Sequence, residues 1–143
     1  AKAVALQRPD AWVLGADTIV VAGRRILGKP RSAADARAML TRLSGRTHRV
    51  FTGFALRRQD RGFSHAEVVK SSVRFREIAV DEMEGYILTG EPFDKAGAYA
   101  VQGRGASFIR EIRGSYTAVV GLPLAEVATA LRRAGVFAYA TEG

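Results

Sequence analysis

Apolar residues follow two different periodicities along this chain, one typical of strands and one typical of helices. A long apolar run, rich in β-branched residues, extends from Trp12 to Ala22 and predicts a buried strand. Two more strands are predicted at about residues 49–58 and 66–78, joined as a hairpin by the turn Gln59–Gly62. A fourth strand is predicted at about residues 107–112.

Helical spacing of apolar residues separates these strands. After the capping residue Ser32, apolar side chains recur on one face as far as Leu43. A second helix is predicted to begin with Asp81 as its cap, with Glu84 at the capping-box position, and to end at Gly90. The remaining predicted helices are residues 1–8 and a final helix with Pro123 near its first turn.

The order of these elements predicts a mixed α/β fold that contains hairpins as well as crossovers. A length of 143 residues with 48% hydrophobic content suits one domain with a substantial core, which we expect to span residues 1–143. The chain starts at Ala1, and its first residues resemble the interior of a helix. We therefore expect it to be part of a longer protein that is truncated at its N-terminus here.

The composition narrows the possible chemistry. The chain has no cysteine and two histidines, so any metal is expected to be a hard cation bound by carboxylates. His48 is predicted to start a strand, and His65 is predicted to be exposed. No apolar run approaches the length of a membrane span, so no membrane association is expected.

The net charge of +8 predicts either an anionic partner or a set of scattered surface arginines. The arginines are dispersed and aromatic residues do not alternate with them, which argues against a nucleic-acid surface. Only four of the 22 basic residues are lysines, and two of them, Lys29 and Lys95, lie in loops that contain glycine. Lysine is a compact charge that suits a phosphate in such a loop.

Asp17 is the first candidate for a functional residue, because it interrupts an apolar strand. A buried carboxylate without a partner is costly, so such a residue usually has an ionic partner, a metal or a catalytic role. The alternative is that Asp17 ends a strand and caps a turn.

Lys29 lies in the stretch GRRILGKP (23–30), which differs by one residue from the phosphate loop G-x-x-x-x-G-K-[ST]. Pro30 has no hydroxyl and no N–H, and the next helix begins at Ser32, so a P-loop is excluded. Lys29 is then either a side-chain ligand for phosphate or a solvated turn residue. Because the strand with Asp17 turns at Gly23 and returns through Lys29, one hairpin is expected to bring both to one cleft.

The segment EPFDKAGAYAVQGRGA (91–106), here called the signature loop, is the third candidate. Its carboxylates Glu91 and Asp94, together with Lys95, are able to bind a divalent cation and a phosphate at one place. A surface loop with a local salt bridge is the alternative.

These stretches together resemble the Maf family of nucleoside triphosphate pyrophosphatases. The matching blocks run in order through nearly the whole chain: LGADTIVV (14–21), ILGKP (26–30), the DA…ML…LSGRTHRVFTG run (35–53), EPFDKAGAYAVQG (91–103) and VVGLPL (119–124). The resemblance implies a mixed α/β fold shared with inosine triphosphate pyrophosphatases, in which a strongly twisted sheet with flanking helices borders a central cleft. It also implies hydrolysis of a nucleoside triphosphate between its α- and β-phosphates, with Mg²⁺ or Mn²⁺.

The resemblance also implies roles for single residues. Asp17, in GADT, matches the family's proposed proton acceptor. The implied phosphate ligands are Lys2, Lys29 and Lys95, and the implied metal ligands are Asp17, Glu91 and Asp94.

The resemblance further favours dTTP and UTP as substrates. In the dTTP/UTP branch the signature loop continues into I/V-Q-G, whereas the branch that prefers 7-methyl-GTP has a glutamate in place of the glutamine. This chain has Val101-Gln102-Gly103, and a glutamine amide offers a donor and an acceptor to the edge of uracil or thymine. Thr18 matches a second specificity position. The alternatives are 7-methyl-GTP hydrolysis and a module that binds nucleotides, or regulates cell division, without hydrolysis.

Two departures from the family pattern affect these expectations. The family begins with an S-x-S-P-R-R segment that contacts the triphosphate, and this chain starts after it; a protein without that segment is expected to have much lower activity. Where the family commonly has GDYYNVVGLPL, residues 114–120 here are GSYTAVV, without the acid and the asparagine. From the resemblance alone we expect a cytoplasmic homodimer.

Overall fold

The computed structural model describes residues 1–136, which contain a five-stranded antiparallel sheet. Its strands lie in the order β2-β1-β3-β4-β5. Their bounds are β1 (Val13–Ala22), β2 (Arg25–Leu27), β3 (Thr47–Arg58), β4 (Phe63–Phe75) and β5 (Ile109–Arg113). β3 and β4 form the predicted hairpin and pair along their whole lengths.

Helices flank this sheet, which confirms the mixed α/β class. The α-helices among the described residues are α1 (Lys2–Gln7), α2 (Ala33–Leu43), α3 (Val80–Leu88), α4 (Tyr116–Val120) and α5 (Leu124–Arg133). Three short 3₁₀ helices, Glu91–Asp94, Ala96–Ala98 and Arg104–Phe108, occupy the signature loop and the two residues after it. Ser32 caps α2 as predicted, because its hydroxyl accepts a hydrogen bond from the Asp35 N–H at 3.1 Å.

The main hydrophobic core joins the sheet to α2 and α3. Leu40 and Leu43 of α2 are fully buried in it together with Phe75 of β4. A second, smaller core forms where α5 packs Val127 and Ala130 against β3. The two cores meet different parts of β3, so this strand connects both halves of the molecule.

The first strand differs from the prediction of a buried strand. β1 pairs with β3 from Val13 to Val21, but β2 pairs with only its last three residues, Val20–Ala22. Among the described residues, the segment 13–19 therefore has no strand on its second edge, and none of its side chains is fully buried. Asp17 lies on this open edge and is solvent-exposed, so it avoids the desolvation expected of a buried acid.

The start of α3 was predicted two residues too late. The cap is Ala79, and the Glu82 carboxylate accepts from the Ala79 N–H at 3.0 Å, while Glu84 forms an ion pair with Arg37 instead. Either carboxylate suits a first turn, so local spacing did not distinguish them.

Other boundaries also moved. β4 covers residues 63–75 rather than 66–78, and β5 covers 109–113 rather than 107–112. The strand β2 was predicted only as the return of the β1 hairpin, without bounds, and α4 was not predicted, because three and five residues are too few to show a periodicity. The predicted domain extends to residue 143, but residues 137–143 lie outside the described part. Within residues 1–136, no helix has both the length and the apolar character needed to cross a membrane.

Replacing Leu40 by alanine tests the importance of the main core. Leu40 has 0% of its surface exposed, whereas Leu88, one helix further on, is 87% exposed. We expect Leu40→Ala to lower the free energy of unfolding by about 2–5 kcal/mol, because it leaves a cavity. Leu88→Ala is the matched control and should change it by about 0.5 kcal/mol or less. Urea denaturation followed by circular dichroism measures both, and equal losses would contradict this assignment of the core.

Candidate active site

A cleft of about 350 Å³ opens beside the uncovered edge of β1. One wall comes from β1 and from Lys29, two residues after β2, a second comes from the signature loop, and a third comes from the end of α4. Six of the residues singled out from the sequence line it: Asp17, Thr18, Lys29, Asp94, Lys95 and Gln102. Segments separated by many residues in the sequence thus meet at one cavity.

Asp17 is placed at this cleft by the pairing of β1 with β3, where it lies opposite Gly53. Its Oδ1 accepts a hydrogen bond from the Thr18 N–H at 2.9 Å, which orients the carboxylate. Oδ2 has no hydrogen-bond partner in residues 1–136, so it is available to water or to a cation.

Thr18 is held by a short chain of hydroxyl groups. Its Oγ1 lies 2.8 Å from Thr52 Oγ1, and the Thr52 hydroxyl donates to the Ala118 carbonyl at 2.6 Å. A hydroxyl has one proton, so Thr52 must accept from Thr18. The Thr18 hydroxyl therefore uses its one proton in the hydrogen bond to Thr52 and presents only acceptor lone pairs to the cleft.

Lys29 reaches the cleft as the hairpin geometry predicted. β2 ends at Leu27, and the Gly28 carbonyl then accepts from the Gly97 N–H at 3.1 Å, which fastens this segment to the signature loop. Helix α2 begins only at Ala33. Its N-terminal amides therefore do not surround Lys29, and any anion there meets a side-chain charge rather than a backbone cradle.

The signature loop contributes both charges and an amide. Lys95 Nζ lies 3.8 Å from Asp94 Oδ2, and both side chains are largely exposed. An exposed pair at this distance is weak, so either group is free to bind a ligand. Gln102 is exposed on the same wall and makes no hydrogen bond to the described part of the chain.

Glu91 does not lie where a metal ligand was expected. It is not among the residues that line the cleft, and both of its oxygens are occupied: Oε1 accepts from the Arg104 N–H and Oε2 from the Gly105 N–H, each at 3.0 Å. Burial alone would raise the pKa of Glu91, but the hydrogen bonds from the Tyr86 hydroxyl and these two amides hold it below its ordinary value. Glu91 closes the signature loop upon itself.

Tyr86 completes this closure. Its hydroxyl accepts from the Ala100 N–H at 3.1 Å and faces the Glu91 carboxylate. The loop comes so close that a Cβ on Gly105 would lie 2.7 Å from the Tyr86 hydroxyl and 2.8 Å from the Ala100 carbonyl oxygen. Glycine is therefore required at 105 for steric reasons.

Lys2 also lies outside the cleft lining. It starts α1, and its neighbour Ala1 borders a second, more open hollow that shares Asp17 with the cleft. The sequence placed Lys2 with the phosphate ligands, but the structure does not bring it together with Lys29 and Lys95.

His48 is a buried residue that contacts Tyr99, one of the residues that line the cleft. It is 2% exposed, its Nε2 lies 2.7 Å from the Tyr99 hydroxyl, and its ring packs edge-on against Phe75 and Tyr99. Tyr99 itself lines the cleft. Burial lowers the pKa of His48 to about 4, so its imidazole is neutral at physiological pH.

Several residues that line or support the cleft were not identified as functional from the sequence. Thr52 is fully buried and lies 34 residues from Thr18, so no local signal connects them. The apolar wall from α4, Val119 to Gly121, belongs to the VVGLPL block, and only the family pattern drew attention to it.

The cleft offers oxygen donors for a divalent cation but no complete cage. In residues 1–136, no three His, Asp or Glu side chains converge. Asp17 and Asp94 do border the same cavity, and one or two carboxylates plus the phosphates of a substrate are a usual donor set for Mg²⁺. The residues present thus fit a cation that the substrate helps to bind.

Comparison with known proteins gives consistent matches. The pattern of the Maf-like protein family matches residues 1–134. The dTTP/UTP pyrophosphatase of Syntrophus aciditrophicus (strain SB) is 56% identical over 135 residues, which cover 94% of this chain and 66% of that protein.

Two further relatives have the same name. The dTTP/UTP pyrophosphatase of Desulfotalea psychrophila (strain LSv54 / DSM 12343) is 53% identical over 87% of this chain and 64% of its own length. That of Myxococcus xanthus (strain DK1622) is 52% identical over 95% of this chain and 68% of its own length. The chain thus spans about two thirds of the length of the relatives it matches.

The buried His48 predicts a specific pH dependence of stability. The pKa of His48 is about 4 when folded and near 6.5 when unfolded, so the unfolded chain binds the proton first as the pH falls. The stability that comes from keeping His48 neutral is therefore fully present above pH 6.5, and it is lost as the pH falls towards 4. The expected loss is about 2 kcal/mol between pH 7 and pH 4.5.

Urea titrations at both pH values measure this loss. His48→Gln should remove most of the difference, and His65→Gln is the control that should retain it. If His48→Gln does not fold, the ring signals of His48 in the unmodified protein give its pKa by NMR, and a value near 6.5 would contradict the assignment.

Proposed function

This chain belongs to the Maf family, and from that membership and its cleft we propose that it hydrolyses dTTP and UTP to the monophosphate and pyrophosphate. The observation that carries the proposal is the meeting of Asp17, two lysines and Gln102 in one cavity. Its relatives named dTTP/UTP pyrophosphatase support the choice of substrate.

The triphosphate would lie against Lys29 and Lys95. Both ammonium groups are exposed at the cleft, and they come from segments that the Gly28–Gly97 hydrogen bond fastens together. Phosphoryl transfer depends mainly on positioning and on neutralising phosphate charge, and two fixed lysine-bearing segments provide both. We assign no such contact to Lys2, which lies outside the cleft lining.

Asp17 would act on the attacking water. Its Oδ1 is held by the Thr18 N–H, so Oδ2 is the atom that accepts the proton. The water oxygen forms a bond to the α-phosphorus, the bond from that phosphorus to the bridging oxygen breaks, and pyrophosphate leaves with the bonding electrons. The water proton passes to Asp17, which is a general-base role.

A divalent cation, Mg²⁺ or Mn²⁺, is part of this proposal. Asp17 and Asp94 would hold it together with phosphate oxygens of the substrate, and Glu91 would not, because its oxygens accept from backbone amides. When bound, the cation supplies charge neutralisation and increases the acidity of water.

Thr18 and Gln102 would distinguish the base. Uracil and thymine present an N–H at position 3 between two carbonyl oxygens. Because the Thr18 hydroxyl has only acceptor lone pairs to offer, it suits that N–H, and the Gln102 amide suits a neighbouring carbonyl. Cytosine has a lone pair at position 3 and would meet Thr18 acceptor to acceptor. A homodimer and a cytoplasmic location are proposed on family membership alone.

Pyrophosphate release from dTTP, UTP, dCTP, 7-methyl-GTP, ITP and ATP, each with Mg²⁺ and with Mn²⁺, tests the proposed reaction. We expect dTTP and UTP to be the best substrates and Asp17→Asn to lower kcat by about 100-fold or more. Asp10→Asn is the matched control, since Asp10 is exposed and outside the cleft.

Three outcomes would overturn this proposal. Full turnover by Asp17→Asn would remove the role of this acid. A preference for 7-methyl-GTP would change the substrate class. Nucleotide binding without turnover of any substrate would favour a binding module.

Thr18→Val tests the recognition of the base. We expect KM for dTTP and UTP to rise about fivefold, since one hydrogen bond is worth about 1 kcal/mol, and the preference for dTTP over dCTP to fall by a similar factor. Thr18→Ser keeps the hydroxyl and should restore both values. Equal behaviour of the two variants would show that the hydroxyl does not contact the base.

A further inference from the structure

Another hollow, of about 280 Å³, lies at the turn of the β1–β2 hairpin, and it shares no lining residue with the cleft. Three segments form it: the hairpin turn, the last turn of α2 and the start of β3. Its walls are basic. The hairpin contributes Arg24 and Arg25, the last turn of α2 contributes Arg42, and Arg46 lies just before β3. None of the residues that line the hollow is acidic. We call it the arginine hollow.

The four guanidinium groups are not neutralised by the protein. In residues 1–136, none of them has an ion pair or a side-chain hydrogen bond, whereas Arg37, Arg58 and Arg76 elsewhere each pair with a carboxylate. Arginine does not lose its proton in proteins, so the hollow keeps four positive charges that attract an anion.

Helix capping does not explain this cluster. A cation in the last turn of α2 complements the helix dipole, which accounts for Arg42. The end of α2 is also closed by main-chain bonds, from the Ser44 N–H to the Leu40 carbonyl and from the Arg46 N–H to the Leu43 carbonyl. Arg24 and Arg25 belong to a different element, and they have no helix end to cap.

The turn that presents Arg24 and Arg25 is held in place. Gly23 adopts φ = +60°, which favours glycine, and its carbonyl accepts from Arg49 Nη2 at 2.9 Å. A fifth arginine thus fixes the turn, and the two that follow it are directed by a rigid hairpin rather than by a free loop.

His48 supplies the second, independent indication of a ligand. It lines the hollow, it is 2% exposed, and its Nδ1 is buried with no partner in the described part of the chain. If the Tyr99 hydroxyl donates to Nε2, the imidazole proton lies on Nδ1, and one buried donor has no acceptor. The opposite tautomer would leave both the tyrosine proton and Nδ1 without partners, so the first arrangement is favoured.

We propose that the arginine hollow is a second anion site that binds a phosphate-bearing ligand of about the size of pyrophosphate. Arginine forks suit phosphate oxygens, which they bind through paired N–H groups, and His48 is among the residues that line the same hollow. The phosphate belongs either to an inorganic anion or to a nucleotide. The proposal does not rest on the proposed hydrolysis, because none of the four arginines lines the cleft.

Calorimetric titration with inorganic pyrophosphate tests this site. The starting protein is Lys29→Gln/Lys95→Gln, in which phosphate binding at the cleft is removed. We expect it still to bind one equivalent, and Arg42→Gln/Arg46→Gln in the same background to weaken that binding at least about tenfold. Arg61→Gln/Arg110→Gln loses the same charge outside the hollow and should bind as before. A parallel titration with dTMP identifies the source of the phosphate, since tighter binding of dTMP points to a nucleotide.

NMR of the two histidines gives a readout that net charge alone would not change. Pyrophosphate should shift the ring signals of His48 in the Lys29→Gln/Lys95→Gln protein and leave those of His65 unchanged. Three results would overturn the proposal: no binding after removal of the cleft lysines, equal weakening in both arginine double variants, or no response of His48. Because the cleft lysines are already replaced, none of these results bears on the hydrolysis.

Discussion

The shortness of β2 is the constraint on which the rest of the site depends. Three residues of β2 cover the last three of β1 and leave the segment 13–19 open, so the chain departs at Gly28 toward the signature loop. A longer β2 would have covered Asp17 with a neighbouring strand. The open edge keeps this carboxylate in water and gives it a cavity instead of a partner, which avoids the cost of burying a charge.

The signature loop keeps its shape through the carboxylate of Glu91. Glu91 accepts from two backbone amides 13 and 14 residues away and faces the Tyr86 hydroxyl, so the loop is closed across its base. Charge-assisted hydrogen bonds of this kind are stronger than neutral ones. The loop can then present Asp94, Lys95 and Gln102 on one wall although only short 3₁₀ helices support them. The hydrogen bonds of Glu91 thus help to position the neighbouring residues that line the cleft.

The excess positive charge is unevenly used. Many arginines are paired with carboxylates on the surface, as Arg76 is with Glu82, and such exposed pairs add little to stability. Among the described cations that form no ion pair, Lys29 borders the cleft and four arginines line the arginine hollow. The His48–Tyr99 contact links these two places through the core.

The sequence alone determined the elements whose signal is local and long. It predicted the long strands, the Ser32 cap of α2, the hairpin that carries Asp17 and Lys29 to one cleft, and the family. It could not place Glu91. The sequence does not show whether the two carboxylate oxygens accept hydrogen bonds from the Arg104 and Gly105 amides or remain available to a metal. Nor could it show Thr52 behind Thr18 or His48 between two cavities. Those contacts join residues 34 and 51 positions apart, and only tertiary packing decides which distant groups meet and whether their hydrogen bonds are already used.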